Sequence, residues 1–304
     1  MPTFASPPKI ARKLPQFSYF KVGSLEAYQR LTTVNRELNL LMQDLEAAIL
    51  TDEQNQEHFH LNGYCHVCDC RSYFKMNNPH HQRNSGAKVA TPNWREGLQC
   101  VGCNLNNRKR GALHIFEREC SPNQESQIYL TEQKSPLYRH VAQKFDFVVG
   151  SEYLETKIPL GTLTTDGIRN ESLTCLSFAD NKFDQILSLD VLEHVPNYLQ
   201  AFKECYRVLK ANGKLVLSVP FSLNSPNNTI RAKIDSLGNI THLKKPQYHG
   251  DPMSKDGVLC FQDFGWQMLD ELREVGFKHV EAVFYRSRFY GYLGSNHIIF
   301  VAQK

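Results

Sequence analysis

Residues 183–221, FDQILSLDVLEHVPNYLQAFKECYRVLKANGKLVLSVPF, constrain the fold more than any other stretch of this chain. They read as an apolar strand over 185–189, an acidic loop over 190–196, an amphipathic helix over 198–210, an Asn212-Gly213 stop and a second apolar strand over 214–219. Both strands are nearly continuous runs of Ile, Leu and Val, which suits a parallel sheet covered on both faces. The helix is expected to turn Leu199, Phe202, Tyr206 and Leu209 inward, at spacings of three and four. In an open α/β sheet ligands sit beyond the carboxyl ends of the strands. Asp190, Glu193 and His194 fall there.

With 304 residues, 41% hydrophobic and 22% charged, the chain has room for one α/β core and a smaller module. A formal charge of +4 is too mild to argue for nucleic acid by itself. Apolar runs long enough to span a bilayer are missing, and MPTFASPPKIARKLPQF lacks an apolar signal core, so the expectation is a cytoplasmic protein with no membrane span. Residues 1–23 carry four prolines and read as an irregular arm. From 24 to 50 a helical period follows, with Ser24 as its cap and Leu31, Val34, Leu38, Leu41, Leu45 and Ile49 recurring.

Nine cysteines, four of them in CxxC pairs, fit a reducing compartment and a metal better than disulfides. Cys65, Cys68, Cys100 and Cys103 form two knuckles separated by 31 residues. Each places two thiolates close enough to share one tetrahedral ion, so a structural zinc is expected, with His66, Cys70 and His81 as substitute ligands. The basic turn NLNNRKR at 104–110 follows and is a candidate for phosphate contact. Ser121-Pro122-Asn123 marks the expected boundary between a 24–120 helix and zinc-knuckle module and a 121–304 domain.

FDQILSLDVLEHV followed by ECYRVLKANGKLVLSVPF resembles the second half of a class I S-adenosylmethionine-dependent methyltransferase of the type 11 kind. That resemblance implies an α/β, Rossmann-like sheet of seven strands, mostly parallel with an antiparallel edge strand, behind a small N-terminal helical and zinc-binding module. It also implies S-adenosylmethionine as cofactor. NWREGLQCVGCNLNNR in turn resembles a zinc-knuckle element that precedes the methyltransferase domain in a bacterial family associated with surface-polysaccharide biosynthesis.

Under this resemblance residues 128–131 are the first strand and 132–136 the loop facing the methionine part of the cofactor. No GxGxG occurs there; Ser135 and Pro136 supply a helix cap and first position instead. The second strand, 147–150, ends at Glu152, whose carboxylate offers two acceptors to ribose hydroxyls. A short third strand near 168–174 is expected to bring Glu171 to the adenine edge. The cofactor-binding set is then Glu132, Glu152, Glu171, Ser188, Leu189 and Asp190.

Acceptor chemistry falls to His194 as a general base and to the 222–259 insertion, through His242, His249 and Asp251, with Tyr248 and Arg231 nearby. The expected reaction is O- or N-methylation of a small-molecule or glycan substrate, with a place in surface-polysaccharide biosynthesis. Two other classes stay open: an rRNA or tRNA methyltransferase whose zinc module meets RNA, and a catalytically degenerate binding protein of the same fold.

Overall fold

A computed structural model describes residues 17–52, 58–77, 92–154, 158–251, 254–294 and 297–304. His81 and most of the N-terminal arm lie outside them. The chain divides into two compact units. The first comprises Met1–Phe20, Gln29–His114 and Phe284–His297; the second comprises Lys21–Tyr28, Ile115–Val283 and Ile298–Lys304. The expected division at residue 121 misses that Phe284–His297, far along the chain, belongs with the cysteine-bearing unit.

Seven strands form the main sheet, in the order Ser18–Val22, His279–Arg286, Ile298–Gln303, Leu209–Ser218, Phe183–Leu189, Ile128–Leu130, Val148–Gly150. The last four run parallel, and Ile298–Gln303 lies antiparallel to Leu209–Ser218. This is the α/β, Rossmann-like sheet expected, with one exchange of members. The anticipated strand near 168–174 is reduced to a single parallel bridge, Glu152 to Asn170, while Ser18–Val22, expected to be irregular, supplies the seventh strand at the opposite edge.

Phe183–Leu189 is buried at every position except Asp184, as a strand with sheet on both sides and helices on its faces must be. Burying a side chain such as Ile186 or Leu187 contributes about 1.5–3 kcal/mol. The helix after it is Tyr198–Val208, capped by Asn197, whose side chain accepts from the Gln200 N–H. Its buried face is Tyr198, Ala201, Phe202, Cys205 and Val208 rather than the expected set, and Leu199 is 41% exposed. Small Ala201 and Cys205 lie on the buried face, and Leu199 is turned outward.

Arg207 ties this helix to the chain entering the central strand. Its guanidinium donates to the Leu176 and Phe178 carbonyls and to Glu204 and Asp180, all at 2.7–2.9 Å. A forked cation of this kind satisfies carbonyls that an irregular segment would otherwise leave unpaired.

Leu25–Val34, which begins in the second unit and continues into the first, and Arg36–Asp52 in the first unit are two helices where one was expected, and Ser24 caps the former by accepting from the Ala27 N–H. His58–Cys65, Cys70–Asn77 and Leu98–Cys100 form an antiparallel three-stranded sheet. The turn NLNNRKR becomes the start of the Asn107–Cys120 helix. Arg110 is fully buried, its guanidinium 4.0 Å from the Phe74 ring centre and donating to the Tyr290, Gly291 and Leu98 carbonyls. Arg108 pairs with Glu96 at 2.8 Å. The expected phosphate-binding turn is therefore a packing device, because two of its three cations are committed inside the unit.

Candidate functional site

Parallel register brings the strand ends to one rim. Leu130 pairs with both Gly150 and Leu187, and Leu189 pairs with Ser218. Glu132 and Glu152, each two residues beyond its paired position, are thus level, with Asp190 one residue beyond Leu189. The convergence of these three acids follows from backbone pairing alone.

The glycine-free loop holds its shape through Glu152. One carboxylate oxygen accepts the Gln133 N–H at 2.7 Å and the Lys134 N–H at 2.8 Å, and the Gln133 side-chain amide donates to the Gly167 carbonyl. Ser135 caps the Pro136–Lys144 helix by accepting from Tyr138 N–H, as its position in the sequence suggested. Close approach is needed one strand over. A Cβ on Gly150 would lie 2.5 Å from the Tyr138 ring and 2.8 Å from the Glu132 carbonyl oxygen, so glycine is required there to seat the loop.

Ser188 is buried and accepts a hydrogen bond from the Thr131 hydroxyl at 3.0 Å, which fastens the central strand to the neighbouring strand end; Leu189 is buried beside it. Asp190 takes a left-handed backbone, φ 53°, at the end of the central strand. Its N–H donates to the Ser218 carbonyl and its carboxylate accepts from the Ser218 hydroxyl at 2.6 Å. Asp tolerates that conformation better than most residues.

Glu171 departs from expectation. Its side chain is fully buried, paired with Arg169 at 2.8 Å and accepting from the Ser177 N–H at 2.9 Å. A carboxylate enclosed in this way holds the 169–177 segment together and has no face for an adenine.

On the acceptor side, the chain brings together residues far apart in sequence. Glu193 and His194 sit in a 3₁₀ turn, Leu192–His194; His249 lies in the strand Tyr248–Asp251; Cys260 follows the strand Ser254–Leu259, with which the His249 strand pairs. His194 Nδ1 donates to the Leu259 carbonyl at 2.9 Å, which orients the ring and turns Nε2 towards Glu193. The Glu193 side chain is fully buried, with Oε1 3.3 Å from His249 Nδ1 and 3.7 Å from His194 Nε2. Glu193 raises the His249 pKa above its usual value, opposed by the partial burial of the ring. Burial pushes the Cys260 thiol up to about 12.

The other acceptor candidates are dispersed or committed. His242 is exposed on the Ile240–His242 strand and Tyr248 is exposed. Arg231, expected as an anion clamp, pairs with Asp263 at 2.6 Å and donates to the Lys245 carbonyl. The Asp251 side chain lies outside the described residues, although its backbone pairs with Ser254. Glu193 and Cys260 were absent from the expected acceptor set. Glu193 was legible as the neighbour of His194 in the acidic loop; nothing local marks Cys260.

The four cysteines meet as their spacing predicts. Cys65 to Cys103 and Cys68 to Cys100 are each 3.8 Å between sulfurs, and all four sulfurs lie within 4.8 Å of one another. Zinc–sulfur bonds of about 2.3 Å imply tetrahedral edges of about 3.8 Å, so the donor set fits a structural zinc. Each knuckle turns through a left-handed residue directly after its second cysteine, Asp69 at φ 50° and Asn104 at φ 58°. Those two turns are what fold each CxxC around a shared point. Without a cation four crowded thiols cannot all ionise: hydrogen bonding from Cys103 pulls Cys100 well below the usual thiol range, while burial pushes Cys68 up to about 12. His66 stacks on His114 and Cys70 is exposed, so neither is needed as a substitute.

Residues 136–217, running from the helix after the glycine-free loop to the second buried strand, match a family model described as a methyltransferase domain. Over these residues the chain is similar to a methyltransferase domain. Among curated relatives, an uncharacterized protein of Methanocaldococcus jannaschii is 54% identical over 44 residues, 14% of this chain and 19% of that protein. A demethylmenaquinone methyltransferase of Staphylococcus epidermidis is 36% identical over 74 residues, 23% of this chain and 31% of that protein. The chain thus covers less than a third of the length of either relative. A solved S-adenosylmethionine-dependent methyltransferase from Mesorhizobium loti aligns with 64% of this chain and 98% of its own, at 17% identity and a TM-score of 0.37. The methyltransferase domain match starts after Glu132 and stops short of His249 and Cys260, so it covers neither the loop nor the whole acceptor cluster.

Proposed function

We propose that the protein transfers a methyl group from S-adenosylmethionine to a hydroxyl or amine of a small-molecule or saccharide acceptor. The observation that carries this reading is the placement of Glu132 and Glu152 level with each other, with Asp190 one residue further along its strand, at one rim of the sheet. Carboxylates suit both ends of the task there: they accept from ribose hydroxyls and they attract a sulfonium cation. When bound, S-adenosylmethionine supplies an electrophilic methyl group. Glu152 would hold the ribose through the oxygen that the loop N–H groups do not use. Asp190, Ser188 and Leu189 would line the cofactor along the central strand.

An acceptor oxygen must lose its proton as it is methylated, whereas in-line positioning is the main requirement otherwise. His194, with Nδ1 engaged by the Leu259 carbonyl, has Nε2 left to take that proton, and Glu193 is close enough to stabilise the resulting imidazolium. His242, His249 and Asp251 belong to the insertion that would cover the acceptor. A structural zinc on Cys65, Cys68, Cys100 and Cys103 supports the first unit in this reading, and the protein works in the cytoplasm. Among the described residues no helix is long and apolar enough to cross a membrane.

One observation favours a second reading, a binding protein of the same fold: the Gln133 and Lys134 N–H groups are turned onto Glu152 and are not offered to a ligand. Calorimetry of the full zinc-loaded chain against S-adenosylmethionine and its demethylated product decides between the two. Binding of both, together with label transfer to a hydroxyl- or amine-bearing acceptor, supports the enzyme; no binding of either supports the second reading. The RNA alternative, which rests on the zinc module, gains no support from the 104–110 turn, where Arg110 is buried and Arg108 is paired with Glu96.

A further inference from the structure

We infer that His194, His249 and Cys260 bind a second, zinc-type metal ion, with Glu193 as the anionic group beside it. The nitrogen and sulfur ligand atoms of the three residues lie within 4.8 Å of one another. Bond lengths of about 2.0–2.3 Å require ligand separations of about 3.3–3.8 Å, so a bound ion draws the three together by up to about 1.5 Å. Two imidazoles and a thiolate form a donor set that selects zinc and its neighbours over magnesium or calcium.

Three further observations point to a ligand. Both Glu193 oxygens are buried without a well-aligned hydrogen bond among the described residues, on a side chain with no solvent exposure, and Oε1 has the His249 and His194 imidazoles as its ion-pair neighbours. A buried carboxylate in that state is costly unless a cation accompanies it. Glu193 Oε1 lies 3.3 Å and 3.7 Å from the two imidazole nitrogens, the separations of groups that share one ion. Finally, His194 donates its Nδ1–H to the Leu259 carbonyl, the outer hydrogen bond that orients metal-ligating histidines and frees the other nitrogen. Gln247 does the same for His249 once its amide oxygen faces Nε2, since amide oxygen and nitrogen are assigned by their hydrogen bonds.

The four residues all lie in the second unit, separate from the four-cysteine cluster of the first. The inference does not rest on methyl transfer. If the enzymatic reading holds, the ion would lower the pKa of an acceptor hydroxyl, and with His194 committed as a ligand the released proton would pass to the Glu193 carboxylate or to solvent.

Cobalt(II) titration of the full metal-free chain tests the site, read by thiolate-to-cobalt charge-transfer and ligand-field absorption, with bound metal counted after desalting. The native chain is expected to bind one more equivalent than either Cys260→Ser or His249→Gln, and both variants are expected to keep the native circular dichroism. His249→Gln is the safer variant for folding, since that ring is partly exposed. Equal metal content in the native chain and the folded His249→Gln variant would overturn the proposal and leave a buried Glu193–His249 ion pair in its place. Cofactor calorimetry on the same samples is a separate readout, so loss of the metal and failure of the methyltransferase reading are distinguishable.

Discussion

Glu152 receives the backbone N–H of Gln133 at 2.7 Å, so the acid expected to hold the cofactor ribose also shapes the loop on the cofactor's other side. The same oxygen takes the Lys134 N–H. A glycine-rich turn lets backbone approach a ligand because there is no Cβ in the way. Here the loop instead wraps a carboxylate.

Glu152→Ala is therefore expected to weaken S-adenosylmethionine binding by about 1–3 kcal/mol and to speed amide exchange at Gln133 and Lys134. Calorimetry and hydrogen exchange read the two effects separately. Unchanged affinity with faster exchange would leave Glu152 only its loop-shaping role.

Asn104→Val is predicted to destabilise the cysteine unit by about 1–2 kcal/mol, because a β-branched residue is poorly accommodated at φ 58°, whereas Asn104→Gly is expected to be close to neutral. Urea denaturation of the zinc-loaded chain measures both. Equal stability of the two variants would show that the knuckle does not depend on its left-handed turn.

Removing metal with a chelator should lower the melting temperature of the native chain, and Cys100→Ser should behave as if already stripped. Cys100 has no solvent exposure and is one of four sulfurs at tetrahedral spacing, so its loss opens the cage. Melting curves that ignore both treatments would rule out a structural zinc there.

His297 is fully buried, and burial first of all lowers its pKa to about 4. The unfolded chain protonates it near the ordinary value of about 6.5, so it binds more protons than the folded chain between those limits. Stability is thus fully present above pH about 6.5, declines as pH falls towards 4, and loses about 3 kcal/mol in total to this group. Denaturation midpoints measured across that window should slope in the native chain and flatten in His297→Gln; equal slopes would remove the assignment.

Arg207→Lys is expected to cost about 1–3 kcal/mol despite keeping the charge, since an ammonium cannot reach the Leu176 and Phe178 carbonyls and Glu204 together. Thermal unfolding compared with Arg207→Ala is the check. A lysine variant as stable as the native chain would mean the fork geometry contributes nothing.

Much of this was legible in the residues themselves. The CxxC spacing anticipated four sulfurs at one point, Ser135 and Pro136 anticipated a helix start, and the buried strand around Ile186 anticipated the parallel sheet. The helix face was read one position out, because it includes Ala201 and Cys205, small residues that large-apolar periodicity overlooks. Glu171, Arg110 and Arg231 look like ligand-binding groups in sequence yet spend their charges on protein partners. Cys260 carries no local signal, and only its place after the strand paired with His249's shows that it faces His194.

The amino-acid sequence by itself determined the elements whose cause lies within a few residues: knuckles, caps, and apolar strands flanking an amphipathic helix. Those depend on short-range backbone geometry and periodicity, which spacing encodes. Only the tertiary structure decided which polar side chains are already satisfied and which remain to act, and that Glu193 meets His249 across more than fifty intervening residues. Partnership of that kind depends on distances set by the whole packed sheet, and a linear pattern does not contain them.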